Sequence, residues 1–304
     1  MKKILVPIDF SDISRNALHF ALSLAEKNQA SVTLLNSVHF DYYSDYQYGT
    51  FSSAKTLMDD VKDAMAKKME DFMKTLDTSV EVNMVISDSS LVTSVKEMVP
   101  EQGYDLIVIG TQGCTGLEEA LIGSNTEKIV RHSPCPVISV PSKTEVDQIN
   151  RILIPLDIRE IKPSFLDKVA ALQKHFEAET EFLWVKTPHN VENEESVSEE
   201  LTKLIQSHGV AHFDFTIVRN VFPSDGILWH AEDTNADMIA MATHARRGIS
   251  HWLSGSLTED TVNHIKVPVW SFRMEKKEKP VSLKSIKEAH GKPEYKKIEV
   301  LTTD

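Results

Sequence analysis

Short apolar runs rich in Val, Ile and Leu recur along the chain, separated by longer stretches in which apolar residues return every three or four positions. The first pattern reads as buried strand, the second as helix with one face toward a core. Strands are predicted at 3–8, 31–38, 80–86, 105–110 and 136–140, and again at 151–156, 180–186, 212–218, 237–242 and 267–272. Helices are predicted between them, near 12–28, 54–76, 90–101 and 124–132, then 163–178, 194–208, 224–234 and 256–265. Strict alternation of strand and helix implies right-handed crossovers and a parallel sheet with helices on both faces.

The pattern occurs twice. "KILVPID" at 3–9 returns as "RILIPLD" at 151–157, and "DLIVIGTQGCTG" at 105–116 as "DMIAMATHARRG" at 237–248. "LIGSNTEKIVRHSPCPVISV" at 121–140 returns as "WLSGSLTEDTVNHIKVPVWSF" at 252–272. Three matches in one order read as a tandem duplication. The expected fold is α/β, with two Rossmann-like, open, parallel five-stranded sheets. The domains read as 1–141 and 150–273, with a polar linker at 142–149 and a charged tail at 274–304. Both closing strands are apolar throughout, and an exposed apolar edge invites stray pairing. The two halves are therefore expected to pack about a pseudo-twofold axis through those strands.

Bulk properties narrow the class. The 304 residues are 41% hydrophobic and 26% charged, as in an ordinary globular protein. No apolar run approaches the roughly 20 residues of a membrane span. A net charge of −12 argues against broad binding to nucleic acid or to acidic membranes. Two cysteines, Cys114 and Cys135, offer no disulfide framework and suit a reducing cytoplasm, Cys135 as a buried thiol.

Candidate chemistry gathers where "VIGTQGCTGLEEALIGSNTE" places four of the chain's eleven glycines after an apolar strand. Ligands of open α/β sheets sit beyond the carboxyl ends of strands, at the point where strand order reverses. The first strand ends at Pro7-Ile8-Asp9 and the fourth at Ile109-Gly110, which puts both loops at that end. Without a Cβ, Gly110 admits a close approach to a sugar, and Gly113 can lie against a phosphate. Gly123 and Ser124 open a helix whose free N–H groups favour an anion. The same residues also read as plain turns, and Ser124 with Glu127 as a capping box.

The spacing Gly110-x2-Gly113-x9-Gly123-Ser124, together with the "PID" strand end and the closing "HSPCPVISV", resembles the ATP-binding pattern of universal stress proteins. The resemblance covers both copies and leaves out the tail. It implies ATP, with Mg2+ brought by the nucleotide, in the first half. Asp9 and the backbone near Val38 would meet adenine and ribose, and Gly110 would flank the ribose. Gly113, Gly123, Ser124 and Asn125 would surround the phosphates, assisted by Thr126. The second copy departs from the pattern: its counterparts are Asp157, Ala242, Ala245, Gly255 and Ser256, and the alanines would crowd a nucleotide. Arg246 and Arg247 add charge there that can attract an anion or simply be solvated.

Catalytic signatures are missing. There is no Gly-x4-Gly-Lys-[Ser/Thr] loop and no Gly-x-Ser-x-Gly elbow. No His-Glu-x-x-His or Cys-x2-Cys occurs, and Gly209 breaks the helix that would align His208 with His212. His132 and His264 read as packing or helix-capping residues. The resemblance implies a cytoplasmic, nucleotide-dependent stress regulator acting on a protein partner, and the missing catalytic motifs fit that role. A slow or self-phosphorylating ATPase and a non-binding scaffold are the alternatives, and a homodimer of the tandem stays open. "HFDYYSDYQYGTF" at 39–51 reads equally as an aromatic flap near the adenine and as a loop packed on its own domain.

Overall fold

The computed structural model describes residues 1–38, 51–111, 124–243, 267–274 and 278–284. The first half runs β1 (Lys3–Pro7), α1 (Asp12–Asn28), β2 (Ser31–Ser37), α2 (Phe51–Met73), β3 (Val82–Ser87), α3 (Leu91–Gln102), β4 (Leu106–Gly110), α4 (Ser124–His132) and β5 (Val137–Val140). After a short 3-10 turn at Val146–Gln148, the second half follows with β6 (Arg151–Pro155), α5 (Pro163–Phe176), β7 (Glu179–Lys186), α6 (Glu194–Ser207), β8 (Phe213–Arg219), α7 (Pro223–Asp233), β9 (Met238–Thr243) and β10 (Val269–Arg273). The strands and helices predicted within the described residues are all present, with ends displaced by up to three residues. The helix expected at 256–265, the loop 39–50 and the tail beyond residue 284 lie outside the described residues.

Local chemistry sets the helix ends. The Ser11 hydroxyl accepts from the Ser14 amide at 3.2 Å and starts α1, and Asn193 does the same for α6 through Ser196 at 3.0 Å. Pro163 and Pro223 stand in the first turns of α5 and α7, where a missing N–H costs nothing. Gly103 closes α3 with φ +70, a conformation that L side chains resist.

The two five-stranded halves meet as one ten-stranded sheet, in the order β3-β2-β1-β4-β5-β10-β9-β6-β7-β8. Every pairing is parallel except β5 with β10, which run antiparallel with Trp270 opposite Ile138. The closing strands of the two copies thus satisfy each other's edge groups. Antiparallel pairing of equivalent strands makes the halves twofold-related about this seam, as their apolar composition predicts.

One continuous core lies between the sheet and the layer formed by α1, α2, α5 and α6, and it crosses from one half to the other. Trp270 on β10 is buried within it, 6.2 Å from the Phe165 ring of α5. Burying a side chain of this size contributes about 2–3 kcal/mol. The opposite face is covered by α3 and α4 in the first half and by α7 in the second, each over its own smaller cluster. Where α1 and α5 come together, Lys27 donates to the Phe176 carbonyl at 2.9 Å and Asn28 pairs with the His175 ring at 2.7 Å.

Candidate functional site

Strand β1 lies between β2 and β4, so the strand order reverses there, the point where open α/β sheets place a ligand crevice beyond the carboxyl ends of the strands. Pro7 is the last, buried residue of β1, and the Ile8 amide still pairs with Leu35 at 2.9 Å. Asp9 then leaves the sheet. Its carboxylate accepts from the Ser11 amide at 3.0 Å and the Ser11 hydroxyl at 2.6 Å. Partial burial pushes the Asp9 pKa up, but the Ser11 and Ser14 hydrogen bonds outweigh it and hold the carboxyl below its usual range. The crevice therefore presents a fixed negative charge at neutral pH.

Between them stands Phe10, at φ +66, a backbone conformation rare for an aromatic residue. Neighbours hold it there. Arg15 Nε donates to its carbonyl at 3.1 Å, the Phe72 ring meets it edge-on at 5.5 Å, and the Lys68 ammonium sits 4.2 Å above its ring. Strain of this kind at a crevice rim is typical of binding sites.

Asn36 is a residue the motif reading missed. It is buried near the end of β2, and its amide nitrogen donates to the Ile8 carbonyl at 2.7 Å. Its Oδ1 has no hydrogen-bond partner among the described residues. The available signal was the one amide in the buried strand "SVTLLNS".

On the other side of the crevice β4 ends with Ile109, buried, and Gly110. A Cβ on Gly110 would lie 2.5 Å from Ile13 Cγ2 and 2.7 Å from the Ile13 carbonyl oxygen. The absent side chain therefore makes room for the start of α1, a packing role that stands beside the close approach to a sugar expected of it. Gly113 and Gly123 lie outside the described residues. Ser124 and Asn125 form the first turn of α4, with Asn125 exposed. Thr126 is buried, and its hydroxyl donates to the Gly110 carbonyl at 3.0 Å. It thereby ties the start of α4 to the end of β4. Val38 is buried at the end of β2, its amide engaged by Ser87 at 2.8 Å.

The second half repeats the turn and fills the space around it. Aligned by register, Pro7 with Pro155 and Leu35 with Leu183, Asp157 takes the place of Asp9 and accepts from the Arg159 amide at 3.0 Å. Arg159 stands where the first half has Ser11, and Lys186 where it has Val38. The Arg159 guanidinium reaches the buried Glu192 at 2.6 Å. Burial raises the Glu192 pKa, yet the hydrogen bonds from Arg159 and its surroundings prevail and keep it ionised. Lys186 donates to the Glu192 carbonyl at 2.9 Å and to Glu194 at 3.0 Å, and Arg219 adds two contacts to Glu194 at 2.8 Å. A mesh of paired charges thus occupies this mouth. Ala242 is half-buried against the core; Ala245, Arg246, Arg247, Gly255 and Ser256 lie outside the described residues.

Other chemistry is sparse. Among the described residues no three His, Cys, Asp or Glu gather as metal ligands, and no helix is long and apolar enough to cross a membrane. Cys135 is buried, and desolvation pushes its thiol up to about 11, far from the reactive range. His132 ends α4, and its carbonyl accepts from Arg273 at 3.2 Å. Cys114 and His264 lie outside the described residues.

Comparison with known proteins gives one family. The model described as "Universal stress protein family" matches residues 1–141 and again 148–273. A universal stress protein of Methanocaldococcus jannaschii is 28% identical over 140 residues, covering 46% of this chain and 81% of its own length. The crystal structure of a universal stress protein from Archaeoglobus fulgidus superposes with a TM-score of 0.70 at 18% identity, covering 89% of this chain and 98% of that one. A Pseudomonas aeruginosa protein of unknown function superposes at 0.57 and 19% identity, over 90% and 92%. At these identities the two structures speak to the fold.

Proposed function

This chain belongs to the universal stress protein family as a tandem of two of its domains, and from that premise we propose that it is a nucleotide-dependent regulator that binds one ATP, in its first half. The nucleotide lies beyond β1 and β4. Asp9 and the chain near Pro7 and Val38 face its adenine and ribose, with Ile109 and Gly110 beside the ribose. Gly113, Gly123, Ser124 and Asn125 donate to its phosphates, and Thr126 holds the loop that carries them. A helix start with unpaired N–H groups suits the phosphates in an acidic protein. Mg2+ enters with the phosphates of the nucleotide.

One observation carries this reading: the two mouths differ at equivalent places. The first offers Ser11 and Val38, an ionised Asp9 and an orphaned Asn36 oxygen. The second is filled by Arg159–Glu192 and Lys186–Glu194. A nucleotide entering the second half would have to displace Arg159 from the buried Glu192 carboxylate and leave that charge without its partner, which is unfavourable. Regulation follows if a partner surface differs between bound and free states; ATP at 100 times its dissociation constant would favour the bound form by about 2.7 kcal/mol. The site of action is the cytoplasm.

Calorimetric titration with Mg-ATP tests the assignment. The expected result is one site per chain, weakened at least about tenfold by Asp9→Ala and unchanged by Asp157→Ala. Equal losses from both variants would sink it.

A further inference from the structure

The sheet ends at β8, which pairs with β7 on one side and with no strand on the other among the described residues. Edge strands are commonly blunted by proline, lysine or a bulge, because their free N–H and C=O groups invite pairing. β8, "FDFTIVR", has neither proline nor lysine and keeps an unbroken register with β7. Its two charges, Asp214 and Arg219, flank a run of uncharged residues, and Phe213, Phe215 and Ile217 pack only partly against the core. The opposite edge differs: β3 carries an exposed Asn83 and ends beside the Lys62–Asp88 ion pair.

One bond shows which main-chain groups are free. The Asn220 amide donates to the Lys186 carbonyl of β7 at 3.2 Å. By alternation Asp214, Thr216 and Val218 also turn their main-chain groups to β7, and those of Phe213, Phe215, Ile217 and Arg219 turn outward. The outward set is symmetric about Thr216. A second β8, antiparallel and related by a twofold axis at Thr216, puts Phe213 opposite Arg219 and Phe215 opposite Ile217. Each of these pairs exchanges two hydrogen bonds, so every outward group of the strand is satisfied. Aromatic and β-branched side chains face each other favourably, Asp214 faces Val218, and no like charges are opposed.

Exposed apolar side chains gather at the same end of the molecule. Among the described residues the large ones are Val191, Val221, Phe222 and Trp229, in the loops after β7 and β8 and on α7, and the first half shows none. At the start of β8 a groove of about 370 Å3 opens against α6, its lining including Gln206, Val210, Ala211, Phe213 and Phe215. In the pairing about Thr216, Val221 of one copy, 62% exposed, comes level with Ala211 of the other, at that groove. We propose that β8 is the contact edge of a homodimer, in which a second copy of this chain extends the sheet antiparallel about a twofold axis at Thr216. Each copy offers the other the same strand, the same groove and the same valine, as a closed twofold contact requires. The seam already joins the equivalent strands β5 and β10 in this antiparallel manner within one chain. The dimer edge belongs to the second half and is separate from the nucleotide proposed for the first.

Sedimentation velocity of the full-length chain at a series of concentrations tests this, and a reversible dimer is expected. Val218→Asp sets a carboxylate opposite Asp214 of the other copy, twice per dimer, and should weaken the dimer at least about tenfold. Val218→Lys sets an ammonium there instead and should dimerise at least about tenfold more tightly than Val218→Asp. Val221→Asp brings a charge to the groove of the other copy and should also weaken the dimer at least about tenfold. If a Val218 variant loses its cooperative melt, Val221→Asp carries the test, because its side chain is exposed and the fold does not depend on it. A wild-type chain that stays monomeric at every concentration overturns the proposal. So does a dimer indifferent to Val221→Asp, which would use another surface. Equal dimer affinities for folded Val218→Asp and Val218→Lys would overturn the pairing about Thr216.

Discussion

The Thr126 hydroxyl donates to the Gly110 carbonyl across 3.0 Å and ties the first turn of α4 to the last residue of β4. Both ends of the glycine loop are thereby fixed relative to each other. Thr126→Val keeps the shape and leaves a half-buried carbonyl without its donor. The expected loss is about 1–3 kcal/mol of stability, read from the urea midpoint at unchanged slope. Affinity for Mg-ATP should fall with it, since the loop donors lose their placement.

Gly110→Ala should destabilise the free protein. The added methyl meets Ile13 Cγ2 at 2.5 Å and the Ile13 carbonyl at 2.7 Å, and overpacking of this kind costs about 1–3 kcal/mol. The double variant Gly110→Ala/Ile13→Ala should recover part of that loss, because it removes the side-chain clash and keeps the backbone one. A melt for Gly110→Ala equal to wild type in the absence of nucleotide would show that the space is open after all.

Asp9 gives the acid limb a definite sign. Its folded pKa lies below the ordinary value of 3.8, so the unfolded chain takes up the proton first. The stability it contributes is full above that ordinary value and is lost as pH falls through the folded one. Asp9→Asn should therefore be less stable than wild type near about pH 6, with the gap shrinking toward about pH 3. Urea midpoints of both proteins at the two pH values measure this. A gap that widens on acidification would reverse the assignment.

Cys135 should be silent. Its thiol is buried, accepts the Ser133 hydroxyl at 3.7 Å and is pushed up to about 11. Mass-resolved labelling with a maleimide should leave the peptide containing Cys135 unmodified in the native protein and modify it fully in denaturant. Rapid native labelling would mean that the β5 end of the seam opens.

Much of this fold can be read from local pattern. Val- and Ile-rich runs such as "KILVP" and "LIVIG" are buried on both sides of the sheet, and the repeat of "PID" as "PLD" announces two copies. The apolar "VISV" and "VWSF" strands point to their own pairing, because an apolar edge has to be covered. What escapes the pattern depends on distant partners. The reason for Gly110 is Ile13, nearly a hundred positions earlier. Phe10 holds its unusual φ through Phe72 and Lys68, which no local rule supplies. Asn36 hides as the one amide in "SVTLLNS", among Ser and Thr that read as ordinary strand positions. The segment 278–284 reads as part of a charged tail, because Val281 and Leu283 are its only large apolar residues.

The most direct test is to denature gently purified protein and measure released nucleotide by mass spectrometry, per mole of chain. About one ATP per chain is expected for a first half that binds and a second half closed by its ion pairs. About two would contradict the closure by Arg159–Glu192. None, with no rise in melting temperature on adding Mg-ATP, would contradict the binding site itself.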